Sequence, residues 1–255
     1  MKTMWIVLAA LIVAISLYLL LKPKKEEPPI SVDVVTAKIY IPPKANIYQV
    51  LDKITDLLEL PREVLDKYLD EQLRLQFEGK LLKGVSKVVW PRPSKDKQKL
   101  EAILLQLKLG FQKARGSHPH SVLVLASLVE KEAMKTEEMR IIAGVFKNRM
   151  ERGMRLQTDP TTVYPIFREY QKRTPPRVLR RDYKSNHKWN TYKIEGLPPT
   201  PICTPSLAAI LSVQNPAKHD YIYFVGKGDG THYFSKTYKE HQARIKEVKE
   251  RRKTK

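Results

Sequence analysis

Residues 5–21 read WIVLAALIVAISLYLLL, an uncharged run whose one small polar residue is Ser16. A terminal segment with no polar face does not fit a soluble core. Its length lies at the short end of a transmembrane helix, whose range is roughly 17 to 25 residues. A cleaved signal peptide would carry a shorter apolar region, about 7 to 15 residues, followed by a small-residue cleavage site. Here the run passes straight into Lys22, Pro23, Lys24 and Lys25. The expectation is therefore an uncleaved anchor over residues 1–22. Its flanks are basic on the far side, against only Lys2 before the run, and the positive-inside rule alone would leave the body in the cytoplasm.

The rest of the chain is long enough for a substantial core. It has 255 residues, 47 of them Lys or Arg against 27 Asp or Glu, giving a formal charge of +20. At 42% hydrophobic with only 10 Gly, it is neither collagen-like nor wholly disordered. A single cysteine, Cys203, excludes an internal disulfide framework and a zinc ribbon. The basic balance calls for a polyanionic neighbour: nucleic acid, an acidic membrane surface or an anionic polymer.

Residues 23–30 (PKKEEPPI) suit a stalk, since charges and prolines oppose a packed element. Residues 31–41 are rich in β-branched side chains and stop at Pro42 and Pro43. Asn46 fits an N-cap for a helix carrying Ile47, Val50, Leu51, Ile54, Leu57 and Leu58. Pro61 fits the first turn of a second helix, and residues 87–90 a returning strand. Residues 31–95 thus outline a small βααβ module. A linking helix over residues 96–112, ending near Gly110, and a turn fill residues 96–120. Residues 121–245 form the main domain. In it Ser121 caps a helix that is apolar all round and ends in Glu130, Lys131 and Glu132. Thr136, Glu137 and Glu138 open the next helix, with Ile141, Ile142, Val145 and Phe146 inside and Gly153 at its stop. The chain then reads as loop to Pro205, with a short helix over residues 206–212 and a hairpin around GKGDG (226–230). From Tyr238 a charged helix faces solvent, with residues 246–255 as a tail. The fold class is α+β.

The sharpest chemical feature is the carboxylate pair ending the buried helix. A carboxyl against apolar surface has its ionised form disfavoured and its pKa raised, as a general acid at neutral pH requires. Glu132 follows Val129, Leu128 and Leu125 at helical spacing, an apolar line. Glu130 follows Ser127, Ala126 and Leu123, a smaller and more polar one. Glu132 is the better acid and Glu130 the alternative. An ordinary solvated helix end would place the same residues there. Further candidates are Gln157, Asp159 and Thr161, although Asp159 before Pro160 is also an ordinary helix start. Asn190 and Tyr192 could grip a sugar by hydrogen bonding and stacking, and His232 lies in the hairpin.

The segments ASLVEKEA (126–133), IAGVFKNRMERGMRLQTDPT (142–161), NTY (190–192), GLPPTPI (196–202), YFV (223–225) and GTHYF (230–234) stand in this order. In this the chain resembles the endolytic murein transglycosylases of the MltG type. The resemblance runs from about residue 37 to 245 and is thinner before Ser121, where IPP (41–43) and EGKLL (78–82) carry it. It implies a single N-terminal membrane anchor, a small LysM-like βααβ module and a mixed α/β catalytic domain with a β-hairpin, acting on peptidoglycan outside the cytoplasmic membrane. On topology, several ordered motifs outweigh three lysines. The family's acid falls on Glu132, with Glu130 second. Gln157, Asp159, Thr161, Asn190, Tyr192 and His232 become the candidate substrate-binding residues. No metal or cofactor is implied, because one carboxyl group suffices when the sugar's own 6-hydroxyl is the nucleophile. Implied partners are glycan strands, the cytoplasmic membrane and peptidoglycan synthases, with no nucleic acid. Departures from the family pattern are Thr200 and Ser206 where Gly is frequent, Pro165 where Gly is usual and Trp189 where Tyr is usual. Rival readings are an inactive glycan-binding scaffold of the same fold and a membrane-tethered nucleic-acid binder.

Overall fold

The computed structural model describes residues 34–61, 77, 79–80, 84–92, 95–170 and 178–253. The expected anchor, the stalk, the helix after Pro61 and the last two tail residues lie outside the described residues. Among the described residues, no helix is long and apolar enough to cross a membrane.

Strand β1 (Val34–Ile41) pairs antiparallel with β2 (Gly84–Pro91), in register from Val34 opposite Pro91 to Ile41 opposite Gly84. Helix α1 (Ile47–Leu58) starts at Asn46, whose side chain accepts from the Gln49 backbone N–H while the Gln49 side chain accepts from Asn46 N–H. That reciprocal capping box fixes where the helix begins. Helix α2 (Asp96–Arg115) runs straight through Gly110 to Gly116. The expected stop at Gly110 is thus corrected. An interior glycine costs a helix about 1 kcal/mol. Phe111, 2% exposed, outweighs that by continuing the apolar line of Leu100, Ile103, Leu104 and Leu107. The side-chain amide of Gln106 donates to Val89 O (2.6 Å) and accepts from Val89 N–H (3.0 Å), closing part of the edge of β2.

Among the described residues there are two hydrophobic cores. The first joins the β1–β2 ribbon, α1 and the first part of α2. The second gathers around α3 (His120–Glu132), which packs against α4 (Thr136–Glu151), α5 (Pro160–Tyr170) and α6 (Leu207–Gln214). Phe111 of α2 belongs to this second core, and Tyr48 touches both, so α2 joins the two cores. Helix α3 begins one residue before Ser121, behind Pro119, which leaves the expected Ser121 cap inside the helix. The stretch expected to be loop up to Pro205 contains α5, which accommodates Pro165 inside it, and a 3-10 turn at Asp182–Lys184.

Strands β3 (Tyr223–Gly226) and β4 (His232–Ser235) form the hairpin, and α7 (Tyr238–Lys253) packs against both. The approach to β3 is pinned by α4. Gly144 allows it, since a Cβ there would stand 2.5 Å from Ala217 O and 2.6 Å from His219 Nε2. Asn148 Nδ2 donates to His219 O and Tyr221 O, and Arg149 Nε to Ile222 O.

Candidate active site

Helix α3 is driven inward by its apolar surface, with every residue from Leu123 to Glu130 buried. It stops at Ala133, whose extended backbone turns the chain outward. Glu132 is therefore carried to the edge of the core rather than into water. It borders a cleft of about 420 Å³, together with Arg149, Gln157, Asp159, Tyr192, Tyr223, His232 and His241. Its Oε1 accepts from the Thr158 hydroxyl. Burial pushes the Glu132 carboxyl up to about 7. The Thr158 hydrogen bond pulls the other way, Asp159 adds to the rise, and Arg149 and Lys44 offset it.

Glu130 sits two residues earlier and points elsewhere. Its Oε2 accepts from Ser206 N–H (3.0 Å) and Ser206 Oγ–H (2.5 Å). Ser206 Oγ in turn accepts from Ala209 N–H at the start of α6. Glu130 is 5% exposed and does not border the cleft. Glu130 thus backs the Ser206 cap of α6, so the two glutamates divide between a cleft position and a structural support for a helix start.

Of the six candidate substrate-binding residues, the structure brings four to the cleft: Gln157, Asp159, Tyr192 and His232. Gln157 has φ 47°, a left-handed conformation uncommon for a residue with a Cβ, and its N–H is held by Thr191 O (3.1 Å). Asp159 does not simply start α5. It accepts from Tyr192 OH (2.6 Å) on Oδ1 and from Tyr183 OH (3.4 Å) on Oδ2. Burial and the Asp159 hydrogen bond both raise the Tyr192 phenol, keeping it a donor. His232 is oriented by Glu138, which accepts from His232 N–H (2.9 Å) and pairs with His232 Nδ1 (2.7 Å). The other two, Thr161 and Asn190, are fully buried behind the wall. Thr161 Oγ1 bonds Thr158 O (2.7 Å) and Thr191 Oγ1 (2.8 Å). Asn190 Nδ2 donates to Ser185 O (2.7 Å), and its Oδ1 accepts from Tyr192 N–H (3.0 Å). These two shape the loops that present Thr158 and Tyr192.

Sequence reasoning missed Arg149, Thr158 and the contribution of α7. Arg149 had a signal. It lies at i+7 from Ile142, i+4 from Val145 and i+3 from Phe146, so it falls on the inner face. There it is 7% exposed, donates to Ile222 O and Leu156 O, and lies over the Tyr223 ring at 5.5 Å. Tyr238, His241 and Ile245 reach the cleft from α7, correcting the picture of a helix that merely faces solvent. His241 stacks on Tyr223, with ring centroids 5.0 Å apart and planes 17° apart. Among the described residues, no group of three His, Cys, Asp or Glu side chains is gathered as metal ligands would be.

A model of the YceG-like family matches residues 19–247. An endolytic murein transglycosylase of Bacillus subtilis is 40% identical over 122 residues, 48% of this chain and 32% of that protein. One of Streptococcus pneumoniae is 35% identical over 144 residues, 56% of this chain and 26% of that protein. The chain thus spans about a third or less of the curated relatives it matches. A crystal structure of a yceG-like protein from Listeria monocytogenes superposes with a TM-score of 0.67 at 26% identity, covering 81% of this chain and 75% of that one.

Proposed function

Because the chain belongs to the YceG-like family, we propose that it is an endolytic peptidoglycan transglycosylase with Glu132 as its single general acid. The observation that carries this reading is the Glu132 carboxyl in a cleft, with burial raising it to about 7. Half of such groups hold a proton near neutrality, which suits both halves of an acid–base cycle. Glu132 first gives its proton to the oxygen bridging N-acetylmuramic acid and N-acetylglucosamine. The bond from that oxygen to the muramic C1 breaks, and positive charge develops at C1. The muramic 6-hydroxyl oxygen bonds to C1 and passes its proton to the Glu132 carboxylate. One product ends in 1,6-anhydromuramic acid, and the enzyme regains its starting state. The nucleophile is part of the substrate, so the reaction needs no positioned water and no second carboxylate.

The neighbours support the cycle. Thr158 holds the carboxyl in one orientation, and Arg149 steadies its ionised form. Gln157, Asp159, Tyr192 and His232 offer hydrogen bonds to hydroxyl and N-acetyl groups. Residues 5–21 anchor the protein in the cytoplasmic membrane, with the body outside among nascent strands and their synthases. Digestion of purified peptidoglycan by the full-length protein in detergent tests the reading. Mass spectrometry should find 1,6-anhydromuramic ends, which Glu132→Gln abolishes. Reducing ends would indicate hydrolysis, and intact strands would favour the glycan-binding scaffold.

A further inference from the structure

The turn between β1 and α1 reaches the end of the acid-bearing helix. Ala45 N–H returns to Pro42 O (3.3 Å), and Lys44 stands at φ 59° in the third position of that turn. Such a turn, with proline second and positive φ third, is satisfied most easily by Gly or Asn. A lysine there bears backbone strain, and its side chain has a defined destination. Lys44 Nζ donates to Ala133 O at 2.8 Å, across 89 positions of sequence. Ala133 is the residue after Glu132 and the C-cap of α3, where free carbonyls favour a cation.

The surroundings fix this contact. Thr204 N–H donates to the adjoining Ala45 O (3.1 Å). Tyr48 and Tyr164 place their rings 6.3 Å apart. At Gly79 a Cβ would lie 2.4 Å from Pro201 Cβ, so the ribbon module and the 201–204 loop meet without a gap.

We propose that Lys44 is a positioning residue through which the N-terminal module completes the active site, holding the chain at Ala133 and setting the electrostatic field at Glu132. The inference rests on the role proposed for Glu132. Thr158 bonds that carboxyl, Asp159, Arg149 and Lys44 act on it electrostatically, and Tyr192, Tyr223, His232 and His241 line the same cleft. Among the described residues, Arg149 and then Lys44 supply its positive field, and Lys44 comes from outside the main domain.

The test is the pH profile of kcat/KM on soluble uncrosslinked glycan strands, using full-length protein. An essential acid gives a rate that falls as pH rises through its pKa, near 7 here. Removing a cation makes ionisation harder, so the alkaline limb of Lys44→Met should move up by about half a unit or more. Lys44→Arg keeps the charge and should keep the wild-type limb. Lys44→Gln, a neutral donor to Ala133 O, should move it as Met does and serves if Met fails to fold. A neutral variant whose limb stays at the wild-type pH, with or without a lower rate, overturns the proposal. So does an Arg variant that shifts like Met. Wild-type protein that makes no anhydromuramic ends would instead defeat the functional reading itself.

Discussion

A carboxyl whose folded pKa lies above its unfolded one costs stability once pH exceeds the unfolded value, because ionisation then favours the unfolded chain. For Glu132 the folded value is about 7 against an ordinary 4.5. Below pH 4.5 both states are protonated and no cost arises. The stability is lost progressively as pH rises from 4.5 through 7, to a limit of roughly 3 kcal/mol. Glu132→Gln should therefore be more stable than wild type at pH 8.5 by up to about that amount, with the difference vanishing below pH 4.5. Urea unfolding at the two pH values checks this, and equal stability at pH 8.5 would contradict the buried-acid account. A second residue-scale consequence concerns two departures from the family pattern. Trp189 Nε1–H donates to Thr200 Oγ1 at 2.8 Å, and both residues are buried. Thr200 and Ser206 stand outside the left-handed region, occupied among non-glycine described residues by Lys44, Glu59 and Gln157. These loops therefore need no glycine at 200 or 206, and Trp189 and Thr200 support one another. Thr200→Gly leaves a buried indole N–H without its partner and should cost about 1–3 kcal/mol. With Trp189→Phe already in place the same change should cost less, which a double-mutant cycle would measure.

At the scale of elements, α3 and α6 are tied by Glu130, whose carboxylate is the acceptor for Ser206. Glu130→Ala should destabilise the protein by roughly 1–3 kcal/mol through the lost charged acceptor, while leaving the alkaline limb of the pH profile in place. A moved limb would instead assign Glu130 to the proton transfer. Elements with strong local patterning were legible in the sequence. The apolar circumference of α3, the inner face of α4 and the Gly-rich hairpin all encode their form within a few residues. The placement of the Glu132 carboxyl against apolar surface was legible for the same reason, because its apolar line lies on its own helix. Gly110 and Ser121 misled, since local propensity favours a stop and a cap there. Phe111 needs a partner in the second core, and that tertiary gain exceeds what a glycine or a missing cap costs. Thr161 and Asn190 were placed at the cleft by their neighbours in sequence. They serve it from behind, a distinction set by loops that meet only in three dimensions.

For the whole molecule, the cleft is closed by parts far apart in sequence, and its least legible wall is α7. That helix is strongly charged, with Arg251, Arg252 and Lys253 in its last turn, and its composition reads as solvent-facing. Yet Val248 is 3% exposed, Arg244 and Arg251 lie over the Tyr233 ring, and Tyr233 OH donates to Glu247 (2.7 Å). These contacts hold α7 on the hairpin and bring Tyr238 and His241 against Tyr223 at the cleft. Under the proposed function, these three rings at the edge of the cleft would take the apolar face of a pyranose. His241→Ala removes the stacked ring without touching Glu132, so its effect belongs to binding rather than proton transfer. With an aromatic contact worth about 0.5–1.5 kcal/mol, KM should rise about 2- to 10-fold while kcat and the alkaline limb hold. Steady-state kinetics on glycan strands of defined length would check this, with the largest effect for strands long enough to cover α7. A fall in kcat at constant KM would place His241 in the chemistry instead. An unchanged KM would leave α7 a structural brace for the hairpin.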